Sequence, residues 1–453
     1  MSRASSSGRP LRFFVVGIAA ALSLLVVIPA AASASTLYVS EHPSAPGNSC
    51  AHAGFKEVQQ AINEADVTPG SRIEICGGTY AEQLEIAGAM SLTGKPGSKI
   101  TLPATIENSA TACDQAIEAK LGGHDQDLVS ICTSGLVKLS GLTLEAKWPT
   151  NTCAGGLYNT IVGGGGTLEA TKDEFLDAGV EAQSKDLGCQ GGVGIEVGVS
   201  GEEGSASVSK PALEVGHAIL TGDTVSEYQK NGITVDGDGS NATIGGAGEK
   251  KVTITGDGPA ITGQNGIQVS RGADATIDGV TISDDECSLV PQTCGHETAA
   301  QWEEDAAGIL LYLPGASTTV EKTTLSDNNI GVEYISGNET RPATPQLTLT
   351  SDKVSGGYAS VQINQGNVSM KSDKLVGGLI AVDVNENEFG GAFGTAGAYA
   401  PDATSSKDFL EGSEAAVQVE PSIGALTGEL ALSHDSVVGP VVNVGHPSFR
   451  VAG

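Results

Sequence analysis

Arginine is almost missing from the body of this 453-residue chain: past residue 12 only Arg72, Arg271, Arg341 and Arg450 remain. Basic residues total 24 against 54 carboxylates. A field of that sign repels phosphate backbones and anionic lipid headgroups, so nucleic acid and anionic membranes are excluded as partners. No C-x-x-C pair occurs among the eight cysteines, which removes the usual structural zinc site. No apolar run reaches the ~20 residues of a membrane-spanning helix. Aromatic residues make up only 4% of the chain, so aliphatic side chains must build the core.

The longest apolar run, Phe13 to Ile28, follows Arg3, Arg9 and Arg12 and precedes the small-residue stretch Ala32-Ser33-Ala34. That is the layout of a secretory signal peptide, expected to span residues 1–34. The C-terminal stretch VVNVGHPSFRVAG carries no apolar tail, so no membrane span is expected once the leader is cleaved. The mature chain, residues 35–453, then keeps 21 basic residues against 54 acidic ones, a net charge of −33. Export to an oxidising compartment suits an even number of cysteines. Because only neighbouring turns of a coiled chain touch, pairs close in sequence are expected: Cys50–Cys76, Cys113–Cys132, Cys153–Cys189 and Cys287–Cys294.

What the chain has in abundance is near-repetition. TSDKVSGGYASVQI at 350–363 returns 21 positions later as KSDKLVGGLIAVDV. Each copy sets an Asp before a Lys and an apolar anchor, then a glycine pair, then an apolar/polar alternation that suits a half-buried strand. Related copies surround Val332, Val417 and Val444. A strand-turn-strand unit of variable length, with no helical pattern between copies, predicts an all-β solenoid whose rungs stack ~4.8 Å apart. Val354, Leu375 and Val437 are the expected inward anchors. A solenoid's end must be covered, and Phe55, Val58, Ile62 and Ala65 recur at helical spacing, so a capping helix is expected near 54–66.

The segment TLYVSEHPSAPGNSCAHAGFKEVQQAINEADVTPGSRIEICGGTYAEQLEI resembles the N-terminal segment of right-handed parallel β-helix proteins of the pectin lyase-like superfamily, and the later copies resemble their rungs. The resemblance implies a single right-handed parallel β-helix over residues 35–453. It does not carry an activity, because that fold hosts lyases, hydrolases, esterases, epimerases and non-catalytic proteins. The paired-Asp motifs of pectin methylesterases have no counterpart here. Polygalacturonases need carboxylates from two rungs, Gly-His-Gly and Arg-Ile-Lys. Here Asp278, Asp284 and Asp285 fall within one rung, and no second Gly follows His296. Pectate lyases need basic groups that four scattered arginines supply poorly.

Stacking the copies sets Thr234, Gln268, Leu310, Glu333, Gln362, Asp383 and Gln418 in one outward row, with Tyr312 beside it as a stacking platform. Amides and carboxylates at a regular pitch suit a hydroxyl-rich polymer, although polar-outward alternation is also the default of any such strand. Glu333 and Asp383 fall two rungs apart, ~9.6 Å at the backbone, near the upper limit of ~9.5 Å for an inverting glycosidase pair. A second row, Asp173, Asp223, Asp352, Asp373, Asp408 and Asp435, precedes the apolar anchors. Calcium is the one cofactor this row admits, and turn hydrogen bonding with help from Lys172, Lys353, Lys374 and Lys407 is the simpler reading. DGDGSN at 236–241 lacks an EF-hand ligand series and is expected to be a turn.

Three insertions break the rhythm: 145–156 with Trp148, 284–307 with His296 and Trp302, and 385–407 with Phe389, Phe393 and Tyr399. The expectation is a secreted monomer without resident cofactor that binds an extracellular glycan along the polar row, using Gln268, Tyr312, Glu333, Gln362, Asp383 and Gln418. The alternatives are a carbohydrate-active enzyme using Glu333 with Asp383 or the Asp284/Asp285 loop, and a purely structural or adhesive surface protein. Mass spectrometry of secreted material should find a chain beginning near Ser35 and no alkylatable thiol before reduction. An intact N-terminus or several free thiols would contradict the leader and the disulfides.

Overall fold

Strands a few residues long recur from Thr36 to Ala452, and each pairs in parallel with the strand one circuit earlier. The computed structural model describes residues 35–453 apart from 69, 122–125, 149–155, 181–190, 201–211, 247, 249–250, 260–262, 288–305, 316, 336–345, 365–366, 385–401, 420–427, 444–448 and 453. Each circuit contributes one strand to each of three parallel sheets. The first has fourteen strands, from Thr36–Val39 to Phe449–Ala452. The second has twelve, from Gly78–Ala81 to Ser436–Val438, and the third has twelve, from Leu84–Ile86 to Val441–Asn443. This is the right-handed parallel β-helix that the resemblance implies. A small antiparallel pair, Val199–Ser200 with Ala212–Glu214, stands apart from it.

Alternation in each strand decides which side chains enter the coil. In Ile330–Ile335, Val332 and Tyr334 join the core while Glu333 points away from it. Stacked in register, Ile233, Ile267, Ile309, Val332, Val361, Val382 and Val417 form one continuous inward column. Removing such a side chain from water contributes about 1.5–3 kcal/mol. Leu375 and Val354 stand in the equivalent column of the second sheet, buried as expected. Val437 ends that column and is 37% exposed, because no described strand of the sheet follows it. Its periodicity was that of a core residue; its place on the last rung leaves one side uncovered.

The opposite end is closed by α1 (Val58–Asp66), which buries Val58, Ala61, Ile62 and Ala65 against the first rungs. The free N–H groups of Val58 and Gln59 donate to the two carboxylate oxygens of Glu82 at 2.9 and 3.0 Å. That satisfies two donors a helix start always leaves open. A second helix, α2 (Ala112–Leu121), was not expected. The Cys113–Cys132 disulfide ties it to the third sheet, and Cys50–Cys76 forms as expected. Cys287 is also disulfide-bonded; its expected partner Cys294, and both cysteines of the expected pair Cys153–Cys189, lie outside the described residues.

The corner between first and second sheets explains the Asp row. The residue before the corner turns left-handed at Lys172, Ser351, Ser372, Lys407 and His434, with φ between 58° and 65°. The following Asp then reaches back along the coil axis. Asp373 accepts the N–H of Asp352 at 2.8 Å and that of Lys371 at 2.9 Å. Asp408 likewise accepts the N–H of Asp373 at 2.7 Å, and Asp435 that of Asp408 at 2.8 Å. Asp352, Asp223 and Asp173 repeat the pattern on Thr323, Asp173 and Leu142. Turn hydrogen bonding therefore accounts for the row. Between these groups stand Val252 and Val280, apolar residues at the same corner position.

Burial pushes the carboxyls of Asp173, Asp352 and Asp373 up to about 7 and that of Asp223 to about 6, against the lowering effect of the backbone donors. Each binds its proton more tightly folded than in the unfolded chain, where its pKa is ~4. Their stabilising contribution is complete below ~4 and is lost as pH rises through the folded values. The melting temperature should therefore fall between about pH 4 and pH 7, with a shallower slope in Asp373→Asn. A melting temperature that rises over that range would contradict the linkage.

Candidate functional site

The outer face of the third sheet carries the predicted row. Thr234, Gln268, Leu310, Glu333, Gln362, Asp383 and Gln418 stand opposite one another on successive rungs, and Glu196 extends the column by one more. Alternation alone suggests an open track, and the structure corrects that. Glu333, Gln362 and Asp383 are 4%, 1% and 0% exposed, while Gln268, Leu310, Tyr312 and Gln418 remain half-buried. The Gln362 amide donates to Asp383 Oδ2 at 3.3 Å. Glu333 and Asp383 are thus two rungs apart as expected, with an amide bound in between and little room for a substrate.

Toward the N-terminal side the face carries a connected polar network in which Asn231, Asn265, Ser270 and Asp236 are buried and Gln268 and Arg271 half-buried. Asn265 donates to Asn231 at 2.9 Å, and Asn231 to Gln268 at 3.0 Å. Gln268 donates to the Ser270 hydroxyl at 3.2 Å, and that hydroxyl donates to Asp236 Oδ1 at 2.8 Å. Arg271 leaves the strand in a left-handed turn, donates from Nη1 to both Asp236 oxygens at 3.2 and 3.3 Å, and lies 5.8 Å from the Tyr312 ring centroid. Burial opposes the Arg271 charge, but the Asp236 carboxylate outweighs it and holds the guanidinium above its ordinary range. Burial raises the Tyr312 hydroxyl to about 12, against Arg271. Tyr312 is neutral at any physiological pH.

Among the described residues, buried atoms on this face without a hydrogen-bond partner include Asn265 Oδ1, Arg271 Nε and Gln362 Oε1. A buried polar atom left unpaired costs about 1–3 kcal/mol, so such atoms mark places where a ligand hydroxyl or water gains most. Arg271 was not singled out in the sequence, although a scarce arginine directly after a row strand is a usable signal. Asp236 belongs to the DGDGSN turn, which forms with Gly237 and Gly239 at φ 86° and 93°. Its carboxylate anchors Arg271 rather than a metal ion, and among the described residues no three His, Cys, Asp or Glu side chains converge on a metal position.

Of the Asp284/Asp285 pair, Asp285 serves the frame, and most of the loop that follows it lies outside the described residues. Asp285 is fully buried and accepts the Tyr228 hydroxyl at 2.6 Å, with its own N–H donating to Asn328 at 3.0 Å. Burial pushes both the Asp285 carboxyl and the Tyr228 hydroxyl well above their ordinary values. Trp148 belongs to the strand Thr143–Trp148 and is wholly buried, not displayed on an excursion. Residues 149–155, 288–305 and 385–401, the rest of the three insertions, lie outside the described residues, with His296, Trp302, Phe389, Phe393 and Tyr399.

A concavity of about 910 Å³ lies beside α1, lined by Glu41, Glu57, Glu82, Glu85, Glu107 and Asp127 among others. Its carboxylates serve the frame: Glu82 caps α1, and Glu85 accepts the Ala110 N–H at 2.9 Å.

No protein-family model matches the chain, and no curated protein matches it. Among solved structures, the A-module of a mannuronan C-5 epimerase from Azotobacter vinelandii is similar at a TM-score of 0.48 and 10% identity, over 87% of this chain and 95% of that one. The catalytic domain of a GH87 α-1,3-glucanase in complex with nigerose is similar at 0.45 and 11% identity, over 92% and 68%. A surface adhesin of Streptococcus pneumoniae is similar at 0.40 and 10% identity, over 88% and 90%. At such distances the likeness concerns the course of the backbone alone.

Proposed function

We propose that this is a secreted, non-catalytic glycan-binding protein whose binding face is the outer surface of the third sheet, centred on Gln268, Arg271, Leu310 and Tyr312. One observation carries the reading: the orphaned polar atom Arg271 Nε lies in an Arg271–Tyr312 stack whose charge Asp236 already balances, and a second orphan, Asn265 Oδ1, stands at the other end of the same strand. An aromatic plane flanked by fixed amides and hydroxyls suits a sugar ring, which has a C–H face and a hydroxyl rim. The guanidinium is compensated and the mature chain is strongly acidic, so the favoured ligand is neutral rather than a polyuronate. Gln362, Asp383, Glu333 and Gln418 continue the column as its polar support. Hydrolysis needs two carboxylates that a substrate and water can reach, whereas Glu333 and Asp383 are buried about an interposed amide.

The test is a glycan array followed by calorimetry on the mature protein. A neutral oligosaccharide should bind with little salt dependence, because no ion pair drives it. Tyr312→Ala and Gln268→Ala should each weaken it by about 0.5–1.5 kcal/mol, with an unchanged melt. Binding restricted to acidic glycans would overturn the neutral-ligand reading. Release of reducing ends from a polysaccharide, abolished by Glu333→Gln, would overturn the non-catalytic one.

A further inference from the structure

The second sheet carries a different pattern on its outer face. Four consecutive strands read Thr-Val-Ser, Thr-Ile-Thr, Thr-Ile-Ser and Thr-Leu-Ser, at 224–226, 253–255, 281–283 and 324–326. Their register is unshifted: Thr224, Thr253, Thr281 and Thr324 form one column, and Ser226, Thr255, Ser283 and Ser326 the other. Between the columns Val225, Ile254, Ile282 and Leu325 enter the core with no exposure, which holds all eight hydroxyl-bearing residues to the outside. Each of these residues is half-buried or exposed, and among the described residues none of the eight side-chain hydroxyls has a hydrogen-bond partner.

The array is neutral in a chain of strongly negative charge. Glu227, Asp284 and Asp327 sit on left-handed turn residues that follow the second column and bound the face on one edge, and Lys251 and Lys322 precede the first column on the other. Beyond the array the same outward positions become charged: Glu174 before it, then Lys353 and Lys374 after it. Phe409, the outward aromatic of this sheet, comes only on the third strand past Thr324.

We propose that the outer face of the second sheet, from Thr224 to Ser326, is a docking surface for an ordered water lattice, the surface of ice. Its hydroxyls repeat at about 4.8 Å along the coil and about 6.6 Å along each strand, lengths close to the oxygen repeats on the prism faces of hexagonal ice. Branching at Cβ restricts the Thr rotamers, so methyl and hydroxyl positions are set before contact. A charged side chain would impose a hydration shell that breaks the lattice, and the array has none. A crystalline polysaccharide is the other periodic partner, but its ring faces call for aromatic planes that these four rungs lack. The proposal is independent of the glycan face, which belongs to another sheet.

The mature protein is tested by partition into slowly grown ice and by inhibition of ice recrystallisation. It should enter the ice and hold crystal size constant, and Thr253→Lys combined with Thr281→Lys should abolish both effects while leaving the melting curve and glycan binding intact. Thr276→Lys, which adds a like charge on the first sheet, should change neither. Exclusion of the native protein from ice, or equal partition of the double variant, would overturn the proposal. Retention on microcrystalline cellulose or chitin that the double variant loses, without entry into ice, would assign the face to a polysaccharide and overturn it as well.

Discussion

The molecule depends on a hydrogen bond that runs along its axis rather than within a rung. At the corner between first and second sheets, an aspartate carboxylate accepts a backbone N–H from the rung before it, and the bond repeats from Asp352 to Asp373, Asp408 and Asp435. A rung that slipped by one residue would offer the wrong group at this corner and turn its whole strand inside out. Where an aspartate is replaced by Val252 or Val280, apolar packing holds the same position. Register fixed at one corner is inherited by all three sheets, and every functional surface on the coil is a consequence of register.

That dependence explains what was legible in the residues. Period-two alternation and the near-copies at 350–363 and 371–384 were enough to stack Val332 on Val361 on Val382, and so to align Glu333, Gln362 and Asp383. Nearest-neighbour logic likewise anticipated Cys50–Cys76 and Cys113–Cys132. What alternation cannot report is what lies over a strand. It names the outward face but not whether that face meets water, and Asp383 is outward yet wholly buried. The same blindness hid the exposure of Val437 on the last rung and placed Trp148 in a loop. Helix α2 escaped because its apolar positions are few and its hold is a disulfide and the carboxylate of Asp114, which accepts the Ser130 hydroxyl at 2.9 Å.

Several of the described carboxylates have structural uses. Asp373 and its relatives bind backbone, Glu82 caps a helix, Asp236 balances Arg271, and Asp285 holds Tyr228 inside the coil. For these residues acidity serves the framework. The faces proposed for recognition are neutral ones: the Arg271–Tyr312 patch on the third sheet and the hydroxyl array on the second.

Hydrogen–deuterium exchange on the mature protein, with and without a neutral oligosaccharide ligand, tests the central claim that the third sheet is the recognition face. Added protection should be confined to the strands Asn265–Ser270 and Ala307–Tyr312 and the turn through Arg271. Protection centred instead on the cleft beside α1, or spread evenly over all three sheets, would contradict it.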